Sequence, residues 1–361
     1  TTAAGTLRAR RASARGAIAV WLMVLFALVV AMIAVGGLTR LTDSGLSITE
    51  WRPLTGAVPP LDAAAWEAEF EKYRAIPQYE LVNEGMTLAE FKVIYWWEWG
   101  HRQLGRVIGL VWALGFAWFL IRRAIPPGWT GRLLGLGVLG GLQGAIGWWM
   151  VASGLTGTMT SVASYRLAIH LGLAFAILGL IAWYVFALRR SEADLLQARR
   201  RRVPALMRWG TVLATVAFAQ ILLGALVAGI DAGRSFIDWP LMEGQIVPPE
   251  PLAIEPVWRN FFENAGLVQF NHRLLGYILL VLAVVAWIAS RRATSKGLRF
   301  AFDSVVGMVL IQSALGVFTV WNAAPWHIAI AHQLGAVLLF VLILRARFLA
   351  LYPPEERIAR A

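Results

Sequence analysis

Long stretches without a single Asp, Glu, Lys or Arg recur along this chain, at residues 17–38, 133–165, 167–188, 209–230, 274–290, 304–326 and 328–344. An eighth, 107–121, is shorter but extends backwards through 94–106 at helical spacing. About 20 apolar residues cross the hydrocarbon of a bilayer as helix, and inside lipid the backbone must satisfy its own hydrogen bonds. The pattern therefore predicts an all-α integral membrane protein with eight transmembrane helices. Composition agrees: 58% of residues are hydrophobic, 15% are charged and mean hydropathy is +0.63, whereas roughly 25% of residues are charged in soluble domains. A soluble α/β enzyme is excluded. The first span is too long, and too poorly followed by a cleavage site, to read as a removable signal peptide. Arg166 and His327 fall at the ends of two hairpins expected to be tight, between helices three and four and between seven and eight.

The 33 Lys and Arg against 21 Asp and Glu leave a formal charge of +12, which invites a nucleic-acid reading until the charges are located. Arg8, Arg10, Arg11 and Arg15 precede the first span, and Arg122, Arg123 and Arg132 follow the second. A basic run from Arg189 to Arg208 follows the fourth, Arg291, Arg292, Lys296 and Arg299 follow the sixth, and the C-terminal tail is again basic. The alternate loops, 43–92 and 231–263, are acidic. This unbroken alternation is the positive-inside pattern of a multi-pass protein. It predicts cytoplasmic termini and outer acidic loops, with membrane lipid rather than nucleic acid as the partner of the excess charge. The chain has no cysteine, which excludes disulfides, iron–sulfur clusters, thiolate zinc sites and c-type heme attachment.

The two halves repeat one another. Trp51 to Pro60 after the first span matches Trp239 to Pro249 after the fifth, and His101-Arg-Gln-Leu-Gly105 matches His272-Arg-Leu-Leu-Gly276. Gln143 and Gly147 match Gln312 and Gly316, and His170-Leu-Gly matches His332-Gln-Leu-Gly. Each half has an even number of helices, so both insert the same way up. The expected architecture is two four-helix bundles, residues 1–190 and 191–361, related by a pseudo-two-fold axis along the membrane normal.

Four of the five histidines occupy repeat-matched positions in the outer portions of even-numbered helices: His101, His170, His272 and His332. One intramembrane histidine is most simply a hydrogen-bonded core residue, but four at equivalent places of a duplicated bundle point to function. Two imidazoles on facing helices hold a heme iron axially within a bundle, which pairs His101 with His170 and His272 with His332. His327 has no repeat partner and reads as interfacial. A di-metal site wants Glu-x-x-His from two helices; Glu98-Trp-Gly-His101 supplies one, but the second half offers Gln269-Phe-Asn-His272. The same contrast separates the halves. Glu98 lies one turn before His101 on the same helix face, placed to move a proton at a bound heme, and Gln269 cannot ionise. A plainer reading pairs Glu98 with Arg102 or Arg106. Arg102, Arg166 and Arg273 stand beside the histidines, suited either to heme propionates or to snorkelling toward the interface. The abundant tryptophans, 18 in all, fit an aromatic belt. Asp303 and the glycines of helix three read as structural.

By these residues the chain resembles the heme A synthase family. Gly36 to Trp51, followed by Pro59-Pro60, is similar to the family's first outer-loop signature, and Glu90 to Arg106 to its second-helix signature. His170, Asn271-His272-Arg273, His332 and the duplicated layout agree, so the resemblance spans nearly the whole chain. It implies a bacterial cytoplasmic-membrane oxidoreductase of cytochrome oxidase assembly. Its reaction converts heme O to heme A by oxidising the C8 methyl to a formyl, through two hydroxylations and loss of water. It further implies that His101 and His170 bracket the substrate heme, that Glu98 is the essential carboxylate, and that His272 and His332 hold a heme b as electron relay. Lacking the outer-loop cysteine pair of many bacterial members, the chain is similar to the cysteine-less class. The implied partners are heme O synthase and the heme-copper oxidase, and the lipid-facing helices leave room for a homo-oligomer. Two other readings stand against this: a di-heme b-type membrane cytochrome for quinol-linked electron transfer, and a heme carrier or chaperone.

Overall fold

The computed structural model describes residues 3–355, with side chains from residue 14 onward. The side chains of Arg8, Arg10 and Arg11 and the tail after Glu355, which carry part of the expected inner charge, lie outside the described residues. Eight of the described helices are long and apolar enough to cross a membrane. They are α1 (Ala3–Leu41), α2 (Leu88–Ile121), α3 (Thr130–Val151), α4 (Ser164–Leu188), α5 (Pro204–Gly229), α6 (Ala265–Ser290), α7 (Lys296–Trp321) and α8 (Trp326–Leu351). The chain is an all-α, multi-pass membrane protein.

Local chemistry sets the boundaries. Helix α2 starts at a capping box in which Thr87 accepts from the Glu90 amide and Glu90 accepts from the Thr87 amide, two orphan donors satisfied at once. Its 34 residues run about 51 Å at 1.5 Å per residue, far longer than the roughly 30 Å of hydrocarbon. The excess places its first turns among the loops. Pro204 opens α5 at its first position, where a missing N–H costs nothing. Asn264 and Ser295 cap α6 and α7 through the Leu267 and Leu298 amides.

The connection between α3 and α4 is not the tight hairpin expected. Helix α3 ends at Val151, a 3-10 turn follows at Ala152–Gly154, and α4 starts only at Ser164. An uncharged run carries no mark of where helix gives way to loop. Gly154 is the position that permits the turn to pack, since a Cβ there would lie 2.8 Å from the Leu46 side chain. The α7–α8 connection is as short as expected, closing between Trp321 and Trp326.

Within the first half α1 packs on α2 and α4, and α3 on α2 and α4; within the second, α5 packs on α6 and α8, and α7 on α6 and α8. Helices α1 and α4 then meet α5 and α8 across a core that includes Phe175, Leu178, Ile221, Phe340 and Ile343. Phe175 and Phe340 sit edge to face, with centroids 5.9 Å apart. Polar ties cross the same seam. Arg40, steadied by Asp43 on its own side at 2.8 Å, bonds Asp231 across it at 2.6 Å, Gln333 Nε2 donates to the Ile33 carbonyl at 2.7 Å, and Ser164 Oγ donates to the Phe262 carbonyl at 2.8 Å.

The two long loops are built differently. Between α1 and α2 the chain folds two short helices, Ala63–Arg74 and Pro77–Val82, over a core of Leu46, Ile48, Trp66, Phe70, Tyr73, Phe91 and Tyr95. Phe70 stacks on Phe91 at 4.9 Å, and Trp66 meets Tyr95 edge-on at 4.9 Å. Between α5 and α6 the chain has only short turns and the four-residue helix Asn260–Glu263. A folded cap therefore sits over the first half alone.

Candidate functional site

His101 on α2, His170 on α4, His272 on α6 and His332 on α8 all lie within about four turns of helix starts at the end carrying the long loops. All four residues are half-buried, deep among the helices. His272 and His332 stand with ring centroids 6.4 Å apart and planes at 84°. His101 and His170 lie near enough to interact electrostatically. The histidines thus come together as 101 with 170 and 272 with 332. His327 stands apart, exposed beside Trp326.

A glycine from the preceding odd-numbered helix makes room for each ring. A Cβ on Gly36 would lie 3.3 Å from His101 Nε2, on Gly147 2.9 Å from His170 Cε1, on Gly224 3.0 Å from His272 Cε1, and on Gly316 3.1 Å from His332 Cε1. Glutamines add a second restraint. Gln143, Gln220 and Gln312 donate through Nε2 to the backbone carbonyls of His170, His272 and His332 at 3.0, 2.9 and 2.7 Å, and lie 3.2–3.4 Å from nitrogens of the same rings. The matched Gln143/Gly147 and Gln312/Gly316 were legible in the sequence. Gln220/Gly224 and Gly36 emerge only in the structure, although the four-residue Gln-to-Gly spacing recurs at 220 and 224.

These residues fit a bis-histidine heme. Metal–imidazole bonds of about 2 Å on either side of one iron put ring centres roughly 6–7 Å apart, which matches the His272–His332 pair. A ligating histidine also needs an acceptor for its other N–H. His272 Nδ1 is buried without a partner, and so are the Oε1 atoms of Gln143, Gln220 and Gln312. By contrast, the described residues contain no group of three or more His, Cys, Asp or Glu able to hold a metal ion, which gives a di-metal centre no ligand set.

Glu98 is 3% exposed and fully engaged. Its Oε2 accepts from Ser47 Oγ at 2.8 Å and from the Ile48 amide at 2.7 Å. Its Oε1 accepts from Arg102 Nε at 3.1 Å and Nη2 at 2.6 Å. Of the two readings left open for Glu98, the ion pair with Arg102 is present. Arg102 also donates to the Glu50 and Ile48 carbonyls at 2.9 and 2.7 Å, so it ties α2 to the capping loop. Arg106 does the same with the Pro53 and Arg52 carbonyls. Above Arg102 lies a cavity of 340 Å³ whose Lys72, Glu50, Glu69 and Arg52 pair with one another.

The second half keeps the framework and changes the chemistry. Gln269 is 2% exposed and donates to the Phe236 carbonyl at 3.0 Å. Arg273 donates to the Phe236 and Leu241 carbonyls at 2.9 and 3.0 Å. Phe236 stands at the same offset from Trp239 as Ile48 from Trp51, so both arginines clamp equivalent loop carbonyls. Arg166 donates to the Trp149 carbonyl at 2.7 Å and stacks 4.4 Å over that indole. At the far end Asp303 accepts from Arg291 and Trp287, the structural role expected of it.

Comparison with known proteins finds relatives over nearly the whole chain. The family model described as cytochrome oxidase assembly protein matches residues 19–344. A heme A synthase of Ruegeria sp. (strain TM1040) is 67% identical, over 97% of this chain and 92% of the relative. The heme A synthase of Dinoroseobacter shibae is 67% identical over 96% and 90%, and that of Paracoccus denitrificans 61% over 99% and 94%.

Proposed function

The chain belongs to the heme A synthase family of cytochrome oxidase assembly proteins, and from that premise we propose that it oxidises the C8 methyl of heme O to the formyl of heme A. It is then a membrane oxidoreductase. With water as oxygen source, taking a methyl to a formyl releases four electrons and four protons, so the site needs a proton path and an electron outlet. The observation that carries the reading is the contrast between Glu98 and Gln269. One of two repeat-matched places holds a buried carboxylate and the other a neutral amide.

In this reading residues 1–190 and 191–361 form two pseudo-two-fold-related bundles, and His101 and His170 bracket heme O as substrate. His272 and His332 hold heme b, which when bound relays electrons away. Glu98 is the site's proton acceptor. Both of its oxygens are occupied by Ser47, Ile48 and Arg102, so it takes a proton only as one donor turns aside, and Ser47 Oγ is the donor free to rotate. Arg102, Arg166 and Arg273 are the partners for heme propionates. Each already serves loop or helix carbonyls, which fixes their planes before a heme arrives. The charge alternation supports a bacterial cytoplasmic membrane with both termini inside and the histidines toward the outer side. A hydrophobic product supports direct transfer among heme O synthase, this chain (alone or as a homo-oligomer) and the heme-copper oxidase. A b-type cytochrome that only passes electrons has no use for a carboxylate at one of its two sites.

The test is to express the chain in a host that makes heme O but no heme A, then extract and identify the hemes. Heme A in the extract is the expected result. Heme O and heme b alone, from folded and heme-loaded protein, would overturn the reading in favour of a carrier or cytochrome.

A further inference from the structure

Three of the four histidine sites share one tether, and the fourth lacks it. At three of them a glutamine four residues before the cradling glycine donates to the histidine carbonyl: Gln143 before Gly147, Gln220 before Gly224, and Gln312 before Gly316. At the fourth, the residue four before Gly36 is Met32. It reaches the same place as its counterpart. Met32 Cε lies 3.5 Å from where a Cβ on Gly105 would be, and Gln220 Nε2 lies 3.3 Å from the equivalent point on Gly276. Gly105 and Gly276 each stand four residues after their histidines. The thioether offers no hydrogen to a carbonyl or a ring nitrogen, and a flexible methionine holds a neighbour less firmly than an amide in two-point contact. His101 is therefore held by the Gly36 cradle without the amide tether of the other three.

We propose that Met32 is a positioning residue that makes His101 the releasing ligand, so that the first half exchanges its heme while the second retains it. This rests on the functional reading above, which gives the first half a heme that must enter as substrate and leave as product. The difference has a physical cause. In the second half both histidines are amide-tethered, through Gln220 and Gln312, whereas in the first only His170 is, through Gln143.

The test uses the full chain in detergent, loaded with heme b, reduced, and mixed with carbon monoxide, which binds only where an axial histidine lets go. Heme loss to excess apomyoglobin is followed on the same samples. Wild type should bind carbon monoxide at one of its two hemes and lose that heme first. Met32→Gln should slow both processes about tenfold or more, and Met32→Leu should leave them unchanged. In the opposite direction, Gln220→Met should make the second heme reactive. A folded Met32→Gln protein holding two hemes, with wild-type carbon monoxide and transfer rates, would overturn the proposal. Should Met32→Gln not fold, the Gln220→Met protein decides alone, and a second heme that stays unreactive overturns it. Folded protein that takes up no heme at all would instead sink the functional reading, and this inference with it.

Discussion

Replacing Glu98 by glutamine tests how the capping loop is fastened to α2. The carboxylate accepts from Ser47 Oγ, the Ile48 amide and two nitrogens of Arg102, at 2.6–3.1 Å. Hydrogen bonds to a charged group are worth roughly 1.5–3 kcal/mol each, and breaking a buried ion pair by removing one partner costs about 3–5 kcal/mol. Two features lower the figure here. The Arg102 side chain is 20% exposed and keeps the Ile48 and Glu50 carbonyls as acceptors. The glutamine oxygen also still accepts from Ser47 and Ile48, while its NH2 must face the arginine. The net loss should be about 2–4 kcal/mol by these values. Hydrogen exchange of the 44–50 segment reports it as local opening, and about 1.4 kcal/mol per decade makes the expected acceleration roughly 30- to 700-fold. Arg102→Leu should produce a comparable effect, and the double variant should add little, since both remove the same pair. Unchanged exchange in Glu98→Gln would refute the claim that this carboxylate anchors the loop.

Gly147→Val and Gly316→Val should each empty one half of heme, because a Cβ there already falls 2.9 and 3.1 Å from the His170 and His332 rings; heme per protein, measured after extraction, should drop by about half. If the second half holds heme b as proposed, His272→Ala or His332→Ala should deplete it while the first half still takes up heme, which difference spectra of the purified variants will read. Burial pushes the Tyr73 hydroxyl above its ordinary range, with a bond to it from Asn83 acting the other way. A raised folded pKa contributes stability below the unfolded value near 10, lost as pH rises through the folded one, so wild type minus Tyr73→Phe should show a phenolate that forms late in the folded protein and at its ordinary pH once unfolded.

Much of this was readable from the chain because membranes impose few solutions. Apolar runs and basic turns located all eight helices, and matched motifs paired the histidines. The rest was hidden for physical reasons. Hydropathy cannot mark the end of a helix where no charge follows, hence the misjudged α3–α4 connection. Whether Glu98 is free or paired depends on where Ser47 and Ile48 fold back, some fifty residues away. The outer-loop motif of the resemblance, Gly36 to Trp51, now has a structural reason. It supplies the glycine beneath His101 and two donors to Glu98, and its Trp51 packs 5.4 Å from Trp148. Met32 carries no mark in the sequence, because a methionine in a membrane helix is ordinary and only the fold aligns it with three glutamines.

Identifying the hemes extracted from Glu98→Gln locates conversion in one half or the other. Folded Glu98→Gln should retain heme b and heme O and yield no heme A, while Gln269→Ala should still yield it. Wild-type heme A from Glu98→Gln, or its loss from Gln269→Ala alone, would contradict the account and reverse the roles of the two halves.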